Sequence, residues 1–346
     1  MENVHAPAAI TAQPAPFAGP AANAPATAAA VPGPIAPALH GPQWGEHGQW
    51  HWRGHACHWR QLGDPRHPPL LLLHGFGAAS GHWRRNAADL AAAGWCVYAI
   101  DLIGFGASAQ PGHHRHRHLD NRLWARQVQA FLAEVVGGPA VLVGNSLGSL
   151  VAVSCAVFFP SWVRGVVAAP LPDPTLLMPV AQRRRPWRRH LQRRLVVGLC
   201  RLLPLELLLP LIARTPLLDL GLRSAYADQG AVDTELRRLI ARPALRPTAA
   251  RSLRAMSIGM ALRPRGATAA VLLERMQQPL LVLWGSHDRL VPMQVRHRLP
   301  AHKPDLELQV LPQLGHCLHD EAPQHFNRTL LQWLAQLEPQ PAPADA

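Results

Sequence analysis

A serine, an aspartate and a histidine each stand just past a run of apolar residues: Ser146 in "LVGNSLGSL", Asp288 in "LWGSHDRLVP" and His316 in "LPQLGHCLHDEAP". A serine hydroxyl is a weak nucleophile until an imidazole takes its proton and a carboxylate orients that imidazole. Attack on a carbonyl also needs N–H donors where the oxyanion forms. The stretch "LLLHGFGAAS" supplies such backbone after a strand, and the residue following the serine supplies more. The expected donors are the amides of Phe76 and Leu147, with His74, Gly75, Gly77 and Asn145 supporting the surrounding loops. Gly144-Asn145-Ser146-Leu147-Gly148 fits G-x-S-x-G between a predicted strand and a predicted helix, where glycines permit a sharp turn without a Cβ clash. Small-residue turns are common, so the pentapeptide alone is only suggestive. Asp288, His316 and the HGFG loop are what make Ser146 a nucleophile.

Other residues compete for these roles and lose on context. Asp173, in "PLPDP", also follows a strand, but its flanking prolines read as a rigid lead into an inserted segment. Asp101 ends a strand in "AIDLIGFGAS" and reads as part of a structural loop beside the pocket. His319 and Asp320 read as packing or capping groups on the turn after His316, and Cys317 as a small buried residue. The run "HHRHRH" at 113–118 lacks a spaced carboxylate or thiol and interleaves Arg115 and Arg117. It therefore reads as an exposed loop, and no metal or organic cofactor is expected. Trp44, Trp50, Trp52 and Trp59 read as core and edge packing.

These residues need a rigid frame. "QWHWRGHACHWRQLG" alternates like two strands about Arg53-Gly54, and "PLLLLHG" reads as a strand buried on both faces. Helices are expected over 80–92, 119–136, from the serine through Phe159, near Met293 and over 321–337. They alternate with the strands "WCVYAID", "AVLVGN", "VRGVVAA", "PLLVLWG" and "LELQVL". That rhythm implies an α/β fold with a mainly parallel sheet covered on both faces. The core is expected over 43–170 and 276–338, interrupted by a helical cap at 171–275. Residues 1–42 are Ala and Pro with almost no charge, too little apolar surface to offset their ordering entropy. They and the tail 339–346 are expected to be disordered.

The charge is uneven. Of 34 Lys and Arg, 19 fall in 171–275 against 7 Asp and Glu, so that segment holds nearly all of the net +13. "QRRRPWRRHLQRR", 182–194, followed by "LVVGLCRLL", reads as a basic collar beside an apolar wall, suited to an anionic membrane surface. No nucleic-acid fold accompanies it, so no nucleic-acid partner is expected. "RLVVGLCRLLPLELLLPLIA" is broken by Arg201, Pro204, Glu206 and Pro210, and no secretory signal pattern opens the chain. The five cysteines form no CxxC pair and read as reduced thiols. The expected location is cytoplasmic, with peripheral membrane contact left open.

In order along residues 49–338, HGFG, DLIGFGAS, GNSLG, WGSHDRLVP and GHCLHDEAP resemble the α/β-hydrolase superfamily. The resemblance implies a mainly parallel eight-stranded sheet, helices on both faces, a cap over the pocket, and catalytic groups in the order Ser, Asp, His. GNSLGS, HGFGAASGHWRRN and the long insertion are most similar to cyanobacterial and plastid hydrolases of the chlorophyll dephytylase and pheophytinase type, which cleave a phytyl ester. The expected activity is thus a serine hydrolase acting on a carboxylic ester of an apolar substrate. A C–C bond hydrolase, a thioesterase, a cofactor-free haloperoxidase and a receptor-like binding protein stay open as alternatives. Haloalkane dehalogenases and epoxide hydrolases want an aspartate nucleophile, and Ser146 argues against both.

Overall fold

Leu70–Leu73 fill β3 (Pro69–Leu73), and all of them are fully buried, as only a strand covered on both faces allows. Burying each leucine contributes roughly 1.5–3 kcal/mol, which makes this strand the anchor of the sheet. The computed structural model describes residues 43–112, 119–177 and 186–337, with the side chains of 186–193 excepted. The expected tails at 1–42 and 339–346, the histidine run 113–118 and residues 182–185 of the basic stretch lie outside the described residues.

The chain enters through a hairpin. Arg53 (φ 52°) and Gly54 (φ 78°) fold β1 (Glu46–Trp52) onto β2 (His55–Leu62). Two successive positive φ values match the right-handed twist of paired strands. The other strands are β4 (Cys96–Ile100), β5 (Ala140–Asn145), β6 (Val163–Ala169), β7 (Leu280–Gly285) and β8 (Glu307–Leu311). The eight strands are ordered β1-β2-β4-β3-β5-β6-β7-β8, with β2 antiparallel to both of its neighbours, β1 and β4, and every other pair parallel. The chain order doubles back between β3, β4 and β5, so the carboxyl ends of β3 and β5 lie side by side. In open α/β sheets the crevice for a ligand forms at such a point.

Helices cover both faces. On one side α2 (Asn121–Phe131), α3 (Leu147–Phe158), α9 (Ala269–Arg275) and α10 (Met293–His302) bury Trp124, Val151, Leu272 and Leu299 against the sheet. On the other, α1 (Ala87–Ala92) and α12 (Pro323–Leu334) bury Leu90, Phe326 and Trp333. The helix expected over 80–92 is a 3₁₀ turn at Ser80–Trp83 followed by the short α1. Trp44 and Trp52 are buried, and Trp50 and Trp59 set their edges against Phe131 at 5.9 Å each.

Between β6 and β7 runs the helical insertion: α4 (Pro186–Leu202), α5 (Leu205–Arg214), α6 (Leu217–Ala225), α7 (Thr234–Ala244) and α8 (Ala249–Ala261). Asp173 ties its two ends together. One carboxylate oxygen accepts from the Thr175 amide (2.9 Å), the other from Arg263 (2.7 Å) and the Ala269 amide (2.8 Å). All five cysteines are unpaired.

Candidate active site

Ser146 sits between β5 and α3 with φ 53° and ψ −114°, a conformation costing a non-glycine residue on the order of 1–3 kcal/mol. Its neighbours hold it there. The Ser146 amide donates to the Ala169 carbonyl (3.3 Å), and the Ser149 hydroxyl donates to Gly144 (2.8 Å). A Cβ on Gly144 would strike the Gly148 backbone, and one on Gly148 would strike the Leu73 carbonyl. The glycines are thus required by close approach of β3, β5 and α3, not by their own φ.

Asn145 joins the loops around the serine. Its amide donates to Ala169 (2.7 Å) and to the carbonyl of His316 (3.2 Å), while its Oδ1 lies where a Cβ on Gly75 would go. A Gly75 Cβ would also sit 3.5 Å from that of Ser146, so the HGFG loop lies directly against the serine. His316 receives its orientation from the next strand end. Its Nδ1 is 2.9 Å from Asp288 Oδ2, and the Asp288 carboxylate is completely buried. Asp288 Oδ1 accepts from the amides of Leu290 (2.8 Å) and Val291 (3.0 Å). The competing carboxylate, Asp173, is occupied by Arg263 and does not reach His316. The structure therefore gathers the loops of Ser146, Asp288 and His316 at one edge of the sheet.

The candidate donors are placed to match. Among the described hydrogen bonds, the amides of Phe76 and Leu147 have no acceptor. Leu147 opens α3, whose N-terminal dipole favours negative charge. His74 is buried; its Nε2 accepts from the Leu102 amide (3.1 Å), so its Nδ1–H donates to Gly75 (2.8 Å). Burial lowers its pKa, which keeps this tautomer neutral. Gly77 turns the loop with φ 75°, and the Phe76 ring stays exposed against Phe105 at 5.7 Å. Asp101 is sealed into the loop below it by His58 (3.1 Å) and the amides of Ser80 (2.6 Å) and Ala107 (2.7 Å). Burial opposes its charge, but the hydrogen bond and charge of His58 outweigh it and hold the carboxyl well below its usual range.

A second layer was not foreseen from the sequence. Asp320, on α11 (Leu318–Glu321), is fully buried and takes two hydrogen bonds from Arg84 (2.9 and 3.1 Å) and one from the Tyr226 hydroxyl (3.0 Å). Arg84 also reaches Asp233 (2.8 Å) and Glu235 (3.1 Å) at the start of α7. The His316 amide donates to Ala225 (2.7 Å), and Cys317 packs in a small core with Tyr226, Val232 and Leu236. The histidine loop is therefore fastened to the insertion. The adjacent pair Arg84-Arg85 just before α1 was the one available signal.

His319 is packed at 4.2 Å from the Trp83 ring and 4.5 Å from His82, and neither ring nitrogen has a partner among the described groups. Burial pushes its pKa well below 6.5, and burial lowers that of His82 to about 4. Unfolded, both histidines bind protons below about pH 6.5; folded, they do not. Stability is thus complete above pH 6.5 and falls as the pH drops, the His82 share ending near pH 4. Each histidine contributes at most about 1.4 kcal/mol per pH unit in that window. Urea unfolding followed by tryptophan fluorescence should show this slope, and His319→Phe should flatten it. A slope unaffected by His319→Phe would contradict the assignment.

A cleft of about 690 Å³ opens near the site, and neither Ser146 nor His316 lines it. It continues from the HGFG loop along Ala79–Gly81, between the β1–β2 hairpin and α7, and carries Arg60, Arg238, Arg242 and Arg246. Its two carboxylates are already engaged, Asp101 by His58 and Glu235 by Arg84. Among the described residues no group of three or more His, Cys, Asp or Glu is arranged to hold a metal ion.

Residues 68–323 match the alpha/beta hydrolase fold family, and the chain belongs to it. A 2-hydroxy-6-oxo-6-phenylhexa-2,4-dienoate hydrolase of Burkholderia cepacia is 30% identical over 275 residues, 77% of this chain and 87% of that protein. A 2-hydroxy-6-oxononadienedioate/2-hydroxy-6-oxononatrienedioate hydrolase of Burkholderia vietnamiensis is 27% identical over 279 residues, 77% of this chain and 86% of that protein. Among solved structures, a membrane phospholipase A described as a bacterial virulence factor superposes with a TM-score of 0.65. It is 23% identical and covers 84% of this chain and 86% of its own, a likeness of fold.

Proposed function

We propose that this α/β-hydrolase cleaves a carboxylic ester of an apolar substrate through Ser146. The observation that carries the reading is the strained Ser146, lying against the HGFG loop and one residue from the Asn145 bond to His316, whose ring is oriented by Asp288. His316 accepts the serine proton as the hydroxyl attacks the acyl carbon. The amides of Phe76 and Leu147 hold the oxyanion, at about 3–4 kcal/mol for a donor of this kind. His316 returns the proton to the departing alcohol, then activates the water that releases the acid. The phytyl ester of chlorophyll is the narrower form of this reading. It rests on GNSLGS, HGFGAASGHWRRN and the long insertion alone, whereas the curated relatives above are C–C bond hydrolases from Burkholderia.

A second reading, C–C bond hydrolysis of a dienoate, has its own support. The two curated relatives carry such names, and the cleft next to the HGFG loop presents Arg238 and Arg242 without partners among the described residues, suited to a carboxylate. One experiment addresses both. Wild type should react with a fluorophosphonate probe and turn over a short p-nitrophenyl ester. Ser146→Ala should lose labelling and lower kcat on the order of 10⁵–10⁶-fold. Full activity in Ser146→Ala would sink the nucleophile assignment. Comparing kcat/KM for p-nitrophenyl esters, chlorophyll a and 2-hydroxy-6-oxo-6-phenylhexa-2,4-dienoate decides the rest. Preference for the dienoate would replace the ester reading with the second.

A further inference from the structure

The cap carries an apolar face that no described residue covers. Leu195, Leu199 and Leu202 repeat at helical spacing on α4, Leu207 and Leu211 on α5, and Leu217 and Leu220 on α6, and all are exposed. Leu202, Leu207 and Leu220 are 81%, 74% and 69% exposed. Exposed leucines scattered singly are ordinary, but seven on three consecutive helices form a surface of the kind that marks an interaction site.

The supports lie on the other side. The Arg254 side chain, from α8, donates to the carbonyls of Cys200 (3.0 Å) and Leu203 (3.0 Å) and pairs with Glu206 (2.8 and 2.9 Å). It thereby fixes the 54° bend between α4 and α5. No single described helix is long and apolar enough to cross a membrane.

Charge decides what covers this face. The two acidic residues of these helices are neutralised from neighbouring helices, Glu206 by Arg254 and Asp219 by Arg237. Arg194, Arg201, Arg214 and Arg223 are exposed and have no partner among the described residues. A leucine face with uncompensated guanidinium groups alongside suits a surface of opposite sign with an apolar interior, because the arginines meet headgroup phosphates while the leucines enter the acyl boundary. A second copy of the chain would instead bring these arginines against one another.

We infer that the exposed leucine face of α4–α6, with Arg194, Arg201, Arg214 and Arg223, docks the protein on an anionic lipid bilayer. This goes beyond the serine-hydrolase reading and names the surface from which an apolar ester would be drawn. It extends the expected contact of the basic stretch 182–194 along the rest of α4 and onto α5 and α6.

Full-length Ser146→Ala protein, which cannot consume lipid through that serine, should cosediment with vesicles of phosphatidylglycerol and phosphatidylcholine. It should bind pure phosphatidylcholine vesicles far less, and added salt should weaken the anionic binding. Leu202→Asp/Leu207→Asp/Leu220→Asp should lower the partition coefficient at least about tenfold. The same triple substitution in the wild-type background should keep short-ester turnover, which establishes that the chain still folds. Unchanged sedimentation of the triple variant, or equal binding to neutral and anionic vesicles, overturns the inference. So does a dimer by light scattering that the three aspartates dissociate, which would make the face a self-interface. Vesicle binding is read without turnover, so absence of esterase activity would leave this result standing.

Discussion

Asp288→Asn is expected to lower kcat about 10⁴-fold while leaving the fold and KM nearly unchanged. The direction follows from how the carboxylate is held. Oδ1 already accepts two backbone amides, from Leu290 and Val291, so the carbonyl oxygen of an asparagine must take that place. Its NH₂ is then forced toward His316 Nδ1, where Asp288 Oδ2 now lies at 2.9 Å. An NH₂ there can only donate, so Nδ1 must give up its proton and Nε2 must carry it. An imidazole protonated at Nε2 cannot accept the serine proton. Fluorophosphonate labelling should slow in parallel, since it depends on the same step. A kcat within tenfold of wild type would require another carboxylate to orient His316. Asp173 is badly placed for that because Arg263 and the Ala269 amide hold it.

The same geometry explains how the candidate residues could be singled out from sequence. Ser146, Asp288 and His316 each follow a strand whose apolar run is unmistakable, and a parallel sheet brings those carboxyl ends to one edge. The glycines beside Ser146 announced a close approach that Gly148 makes against Leu73. The assignments that stayed hidden depend on contacts between distant segments. Asp173 looked like a lead into the insertion, but its carboxylate closes that insertion against Arg263, 90 residues on. His319 read as a packing or capping group, and it packs beside Trp83, but nothing in its sequence context announced that both ring nitrogens would be sealed without partners among the described groups. The leucines of "RLVVGLCRLLPLELLLPLIA" read as those of amphipathic or buried helices, because two helices with leucine on several sides fix no inward face until neighbours pack on one. Arg254, from α8, chooses that side.

Arg84→Met is expected to cost about 3–5 kcal/mol, the largest stability effect among these substitutions. The Arg84 and Asp320 side chains are 2% and 0% exposed, and the guanidinium gives two of its hydrogen bonds to that carboxylate. Burial works against both charges. The Asp320 and Asp233 carboxylates outweigh it at Arg84, and the hydrogen bonds and charge of Arg84, with the charge of Arg85, outweigh it at Asp320, so each side chain stays ionised. Methionine fills much of the volume but leaves Asp320 with Tyr226 and a longer contact to Arg85 (3.6 Å). A buried carboxylate without its main partner is the costly state, so Arg84→Met/Asp320→Asn should be milder than Arg84→Met alone. In that double variant the oxygen of the introduced asparagine still accepts from Tyr226, and no charge remains to be compensated. Urea unfolding of the two single variants and the double gives the coupling directly. Strictly additive losses would mean that the pair acts as two independent groups. Because Asp320 lies four residues beyond His316 on the loop that Ala225 and Tyr226 tie to the insertion, Arg84→Met should also lower kcat in conditions where the chain remains folded. Asp320→Asn in the Arg84→Met background should restore part of it.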